Sequence, residues 1–253
     1  MRVVAPPGLP YRDFFYPLNV FMHVLTHEEG GVTYLHYGLF DRKDESIAAA
    51  QERSTELLLS RLPKPPARIL EVGTGLGTTL ARLTRAGYDA TGITPDARQI
   101  AVLRARYGDE LQVEEIAYEN LASRPFDAVV FQESAQYVEA RTLFAKAAEL
   151  TRSVIVLDEF ATGGGGSLHR LDAFLDAARE SAFRKVEEVD LSAKAAPTVD
   201  YFMQRLPRYR QALIEDLGLK NEQVDELIES GDTYRRLYAN GTYVYRLLRF
   251  TKE

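Results

Sequence analysis

Residues 69–80 read Ile-Leu-Glu-Val-Gly-Thr-Gly-Leu-Gly-Thr-Thr-Leu. The apolar run from Arg68 to Val72 ends in glycines at alternate positions, Gly73, Gly75 and Gly77. Leu80, Leu83 and Ala86 then recur at helical spacing. The pattern predicts a strand, a tight turn and a helix, with glycines where the backbone must approach a ligand closely. A dinucleotide fingerprint places its third glycine three positions after the second. Here that position is Thr78, and Gly77 comes one residue earlier. Glu71 stands two positions before the first glycine. By itself the loop also fits a glycine-rich turn of another α/β protein.

Outward from this loop, strands and helices alternate. Strands are predicted over 68–72, 90–93, 111–116, 126–131, 153–157, 185–191 and 242–250. Helices are predicted over 46–62, 78–86, 97–107, 140–149 and 168–181, with a short one near 18–25. Such alternation implies right-handed βαβ units and a mostly parallel sheet. Ligands of such sheets sit beyond the carboxyl ends of the strands. The last strand, 242–250, is expected as an antiparallel partner at the sheet's edge. Residues 1–40 are aromatic-rich and carry Pro6, Pro7, Pro10 and Pro17, which predicts an irregular arm. Residues 201–238 are helical by pattern, with Phe202, Leu206, Leu213 and Leu217 on one face. They lie between two strands and read as a lid. The run Gly163 to Gly166 reads as a flexible loop, since no Lys-Ser/Thr pair follows it.

The expected fold is therefore α/β, a Rossmann-like seven-stranded sheet flanked by helices. Its segments are an arm and helix (1–62), a cofactor-binding core (63–194), a helical lid (195–240) and a closing strand (241–253).

Composition narrows the function. The 253-residue chain is 45% hydrophobic and 27% charged, ordinary for a globular protein. A net charge of −6 argues against a nucleic-acid partner. No apolar run approaches the ~20 residues of a membrane span. Residues 1–10 lack the apolar core of a signal peptide. The chain has no cysteine, which removes disulfides, thiolate metal sites and a Cys nucleophile and fits the cytoplasm. His23 and His27 are four apart, but no Glu follows His23 and no third ligand is evident, so no metal site is expected.

Glu71 with Gly73, Thr74, Gly75 and Gly77 resembles motif I of class I S-adenosylmethionine-dependent methyltransferases. Gly92-Ile93-Thr94, followed by Gln99, resembles the Gly-Leu-Thr…Gln pattern of cyclopropane fatty acid synthases and mycolic acid methyltransferases. Tocopherol methyltransferases share a similar Gly-Ile-Thr. The resemblance spans roughly residues 30–160 and implies S-adenosylmethionine as cofactor. Most class I members carry an acid where Thr94 stands. The resemblance implies that Thr94, Pro95 and Gln99 take over contacts to the ribose. Ala117 occupies the position of a common adenine-reading acid, and Tyr118 either stacks on adenine or belongs to the core. Gln132 and Glu133, after the fourth strand, are implied on the cofactor side.

Residues Tyr34 to Asp41 contain His36-Tyr37-Gly38-Leu39-Phe40-Asp41. This resembles the His-x-Gly-x-aromatic-Asp segment that folds over the cofactor in small-molecule methyltransferases. The resemblance implies that Tyr37 contacts the cofactor and that Tyr34 and His36 face the methyl group. A histidine suits general-base work because its ordinary pKa lies near neutrality. Many relatives have Glu-His where this chain has Gln136-Tyr137, which leaves Tyr137 as a further catalytic candidate. The expected activity is direct SN2 methylation of an O, N or C nucleophile on a small molecule. Lipid alkene methylation or cyclopropanation, and a non-catalytic cofactor-binding subunit, are the alternatives. An NAD-dependent dehydrogenase is disfavoured by Thr78 and Thr94. A homodimer is compatible with the sequence.

Overall fold

The computed structural model describes residues 11–252 apart from 43, 165 and 167. The readings that fall on Pro6, Pro7, Pro10 and Gly165 lie outside the described residues.

Seven strands form one sheet: β1 (Arg68–Val72), β2 (Asp89–Thr94), β3 (Gln112–Glu115), β4 (Ala128–Gln132), β5 (Ser153–Ala161), β6 (Phe183–Asp190) and β7 (Tyr243–Lys252). Their order is β3-β2-β1-β4-β5-β7-β6. The first five are mutually parallel, and β7 runs antiparallel to both β5 and β6. The helices among them are α1 (Leu18–Glu29), α2 (Ile47–Leu59), α3 (Thr78–Arg85), α4 (Ala97–Tyr107), α5 (Ala140–Leu150), α6 (Leu171–Glu180), α7 (Ser192–Ala195), α8 (Pro197–Leu217) and α9 (Asn221–Ala239).

The last strand corrects one expectation. β7 is not at the edge; it passes between β5 and β6. Burial explains the order. Tyr245, Leu247, Leu248 and Phe250 of β7 are fully enclosed, which an edge position cannot provide. β6 reads Phe-Arg-Lys-Val-Glu-Glu-Val-Asp and is half-exposed, and charge of this kind protects an edge from pairing with another chain.

Two apolar layers cover the sheet. β1, β4 and β5 are nearly continuous in Val, Ile, Leu and Phe because helices bury both of their faces. Local chemistry fixes the helix ends. Ser46 accepts from the Ala49 amide at 3.2 Å and starts α2. Asp96 accepts from the Arg98 amide at 2.9 Å and starts α4. The stretch predicted as a helical lid is two helices, because Gly218 takes a left-handed conformation (φ 69°) and ends α8. The chain of α1 packs along α8 in the opposite direction. Glu29 accepts from the Tyr201 hydroxyl at one end, and His23 meets Asp216 at the other.

Candidate active site

The turn after β1 is held to the next strand by two bonds. The amides of Gly73 and Thr74 donate to the Ile93 carbonyl at 2.9 and 3.1 Å. Gly73 (φ 73°) and Gly77 (φ 78°) are left-handed, and neither has room for a side chain. A Cβ at Gly73 would lie 2.5 Å from the Ser134 Cβ, and one at Gly77 would lie 2.7 Å from Leu103. Gly75 differs. A Cβ there would meet only Leu35 at 3.4 Å and a backbone oxygen at 3.9 Å. The Gly75 and Leu76 amides donate to no group among the described residues. Free amides beside an open cradle at a helix N-terminus suit a carboxylate. Glu71 lies buried below, accepting from Thr74 Oγ1 at 2.8 Å, and burial pushes its carboxyl up to about 8.

At the end of β2, the Thr94 hydroxyl donates to Gln99 Oε1 at 2.8 Å. This fixes the Gln99 amide and leaves its two N–H donors without a partner among the described residues, which suits the hydroxyls of a ribose. Pro95 is exposed beside it, and Ala117 is half-buried beyond β3. These features fit S-adenosylmethionine: a cradle for the amino-acid tail and donors for the sugar.

Several sequence-derived assignments need correction. Tyr118 belongs to the core. It is buried, packs edge-on against Phe131 at 5.2 Å and donates to the Leu143 carbonyl. Its ring is therefore not free to stack on adenine. The ring nitrogens of His36 are both engaged, Nδ1 by the Tyr37 carbonyl at 2.9 Å and Nε2 by Thr55 Oγ1 at 3.0 Å. A carbonyl only accepts, so Nδ1 carries the proton and the Nε2 lone pair is used by the hydroxyl. Burial lowers the His36 pKa to about 4, so it is a poor general base. Tyr34 turns its hydroxyl to Glu52 at 2.7 Å, away from the cavity described below. Burial and that carboxylate push its pKa up to about 12. Tyr137 is 76% exposed and does not line that cavity either. Gln136 is spent on structure, donating to the Glu159 carbonyl and accepting from the His169 amide.

Tyr37, Gln132 and Glu133 are brought together at the ends of the central strands. Gln132 bridges α3 and α2, accepting from Thr79 at 3.1 Å and donating to Thr55 at 3.3 Å. Glu133 has φ 55°, an uncommon conformation for a non-glycine residue. Its Oε1 accepts from the Tyr37 amide at 2.7 Å and the Tyr245 hydroxyl at 2.6 Å. The Tyr37 ring lies nearly parallel to that of Tyr245, 6.0 Å away.

Next to this group is a cavity of about 210 Å³. Its apolar walls come from Phe21, Met22 and Leu25 of α1 and from Val199, Phe202 and Met203 of α8. Its polar lining includes His36, Tyr37, Gln51, Tyr234 and Glu159. Sequence reasoning missed Glu159. It pairs in register with Tyr245 on β7 and accepts a hydrogen bond from the Tyr238 hydroxyl of α9. Burial, reinforced by neighbouring Asp158, pushes the Glu159 pKa up to about 7 against the pull of Tyr238. The signal was present as an Asp-Glu pair inside the apolar run Val154 to Phe160, at the carboxyl end of a parallel strand.

Residues 69–154 match the family model described as a methyltransferase domain. An O-methyltransferase of Pyrenophora dematioidea is 27% identical over 195 residues, covering 65% of this chain and 73% of the relative. Mycolic acid cyclopropane synthase CmaA1, solved with SAH and CTAB, superposes with a TM-score of 0.79 at 17% identity, over 97% of this chain and 99% of that one. Cyclopropane synthase MmaA2 from Mycobacterium tuberculosis gives 0.75 at 16% identity, over 87% and 90%. At that identity the two structures speak to the fold. The chain thus carries a methyltransferase-domain match over residues 69–154 and shares its fold with these S-adenosylmethionine-dependent enzymes.

Proposed function

We propose that the chain methylates a small, largely apolar molecule at a nucleophilic oxygen, with Glu159 as the proton acceptor. The observation that carries this reading is the position of Glu159. It is the one carboxylate among the described residues lining the cavity, and its pKa of about 7 suits proton transfer near neutral pH.

The residues that hold the cofactor are proposed as follows. The backbone of Gly73, Thr74, Gly75 and Gly77, with Glu71 beneath, seats the amino-acid tail. Thr94, Pro95 and Gln99 take the ribose, and Ala117 borders the base. Gln132, Glu133 and Tyr37 close the side facing the cavity. When bound, S-adenosylmethionine supplies a methyl group on a positively charged sulfur. The chain's part is positioning and proton removal. The apolar walls hold the acceptor and exclude water, and in-line placement of this kind is a large part of bimolecular catalysis. Tyr37 and Tyr234 direct the acceptor's hydroxyl toward Glu159. Its carboxylate would take the hydroxyl proton as that oxygen accepts the methyl group the cofactor supplies. His36, Tyr34 and Tyr137 have no step in this scheme.

An O-methyltransferase relative supports oxygen as the acceptor atom. The cavity is smaller than the ~300–1,000 Å³ usual for drug-sized ligands, which supports a compact acceptor over a lipid chain. The reading extends to the four-segment division at 62, 194 and 240, with 195–240 as a lid. It also extends to a cytoplasmic setting and an acceptor that is not nucleic acid, supported by the absence of cysteine and the net charge of −6. No helix of the described residues is long and apolar enough to cross a membrane.

The test pairs calorimetry with turnover. S-adenosylhomocysteine should bind one to one. A panel of small phenols and enols should then yield methyl ethers from S-adenosylmethionine. Failure to bind removes the cofactor reading. Tight binding with no product across the panel favours a non-catalytic subunit, and a methylene-bridged product from an unsaturated lipid favours cyclopropanation.

A further inference from the structure

A second cluster lies on the outer side of the α1–α8 pair, apart from the cavity. His23 and His27 are one turn apart on α1, and their rings are 4.4 Å apart between centroids. Asp216, from the last turn of α8, approaches His23 Nε2 at 2.9 Å. One ligand atom from each of the three residues lies within 4.8 Å of the others. His23 is fully buried, whereas His27 and Asp216 are exposed.

We infer that His23, His27 and Asp216 form a site for a divalent transition metal, Zn²⁺ or Ni²⁺, that clasps α1 to α8. The residue types fit, because two imidazoles and a carboxylate are a common three-ligand set that leaves a further position for water. The spacing fits as well. Metal–ligand distances of ~2.1 Å place neighbouring ligand atoms about 3.0–3.4 Å apart. The His23–Asp216 contact already meets this, and the two exposed side chains are free to close the remaining gap.

A third observation concerns His23 Nδ1, which is buried and has no hydrogen-bond partner among the described residues. Nε2–H now donates to the carboxylate. Among the described residues no group holds the ring in that tautomer through Nδ1, so the proton can move to Nδ1 and free the Nε2 lone pair. That lone pair would then face the Asp216 carboxylate with like polarity, an arrangement a cation between them relieves. The Arg12 guanidinium hydrogen-bonds the Asp216 backbone carbonyl rather than its carboxylate.

The site bears on the cavity through the helices it joins. Phe21, Met22 and Leu25 of α1 and Phe202 and Met203 of α8 face the cavity, so a clasp at His23 and Asp216 fixes two of its walls from behind.

The experiment uses tag-free protein freed of metal, titrated with Zn²⁺ by calorimetry and with Co²⁺ by visible absorption. One equivalent should bind with micromolar affinity. At a hundredfold excess over Kd the melting temperature should rise on the order of 5 °C. His27→Ala and Asp216→Asn should each weaken binding at least tenfold. Both residues are exposed, so melting of the metal-free variants near the wild-type temperature confirms their folding. No binding up to about 1 mM Zn²⁺, or binding that both variants retain, overturns the site.

Discussion

The glycine loop and the cavity beside it lie on the same sheet but are built by opposite means. The loop is made by one stretch of chain. Gly73 to Gly77 turn on their own dihedral angles, and two amides hook them to β2. The cavity has no local cause. It exists because α1, α8, α9 and the end of β5 meet, with lining residues drawn from Pro17 to Tyr234. A backbone cradle depends on the absence of side chains, whereas a cavity depends on which side chains are present. The first therefore tolerates few substitutions, and the second can be reshaped one wall at a time.

The strongest way to break this division is at Glu159. Glu159→Gln should lower kcat by about 10²–10⁴, the usual contribution of a general base. The sign with pH follows from its raised pKa. The proton-accepting form predominates above about 7. Wild-type activity should rise as pH increases through that value, and the variant should lose this limb. S-adenosylhomocysteine affinity should stay within a few-fold of wild type, measured by calorimetry. A variant with full kcat would remove Glu159 from the chemistry.

Gly73→Ala attacks the other region. The new Cβ meets Ser134 at 2.5 Å and sits on a left-handed backbone. With strain on the order of 1–3 kcal/mol, cofactor affinity should fall by one to two orders of magnitude. The same change should affect every acceptor alike, since it acts on the shared half of the site.

Phe202→Ala should do the reverse. Removing a large apolar wall costs roughly 1–3 kcal/mol of acceptor contact, seen as a tenfold or greater rise in acceptor KM with cofactor binding kept. Equal losses for cofactor and acceptor would mean that the two regions are one cooperative unit.

The smallest effect is expected at Gln99. Gln99→Ala removes neutral hydrogen bonds worth about 0.5–1.5 kcal/mol, so cofactor affinity should weaken by a few-fold to about tenfold. Thr94→Ala should give a similar result, because Thr94 acts by aiming the Gln99 amide. A double variant no worse than either single would confirm that they work as a pair.

The same contrast explains what could be read from the residues alone. The loop, α3, α4 and the parallel strands were legible because each is set by local spacing: Gly73-x-Gly75-x-Gly77, the cap at Asp96, the apolar runs of β1 and β4. The place of β7 was not, since an apolar strand reads alike in the middle of a sheet and at its edge until its neighbours are known. His36 carried a familiar motif, but its burial and its bonds to Tyr37 and Thr55 are tertiary facts. Glu159 was passed over for the same reason. Its significance comes from Tyr238, 79 residues away by chain, and from a cavity no local pattern announces. Asp216 joins His23 across a longer span, 193 residues.

The central place of β7 has a consequence for biosynthesis. Residues 68–161 can pair their five parallel strands as soon as they leave the ribosome. The flank of β5, with the run Val-Ile-Val-Leu, must then wait through α6, β6, α7, α8 and α9 for its partner. During that interval an apolar, unpaired strand is open to association with other nascent chains. Tyr245 arrives with the same segment, so the hydrogen bond that steadies Glu133 forms only when β7 slots into the gap. Assembly of the Glu133 cluster and protection against aggregation are thus completed by one late event.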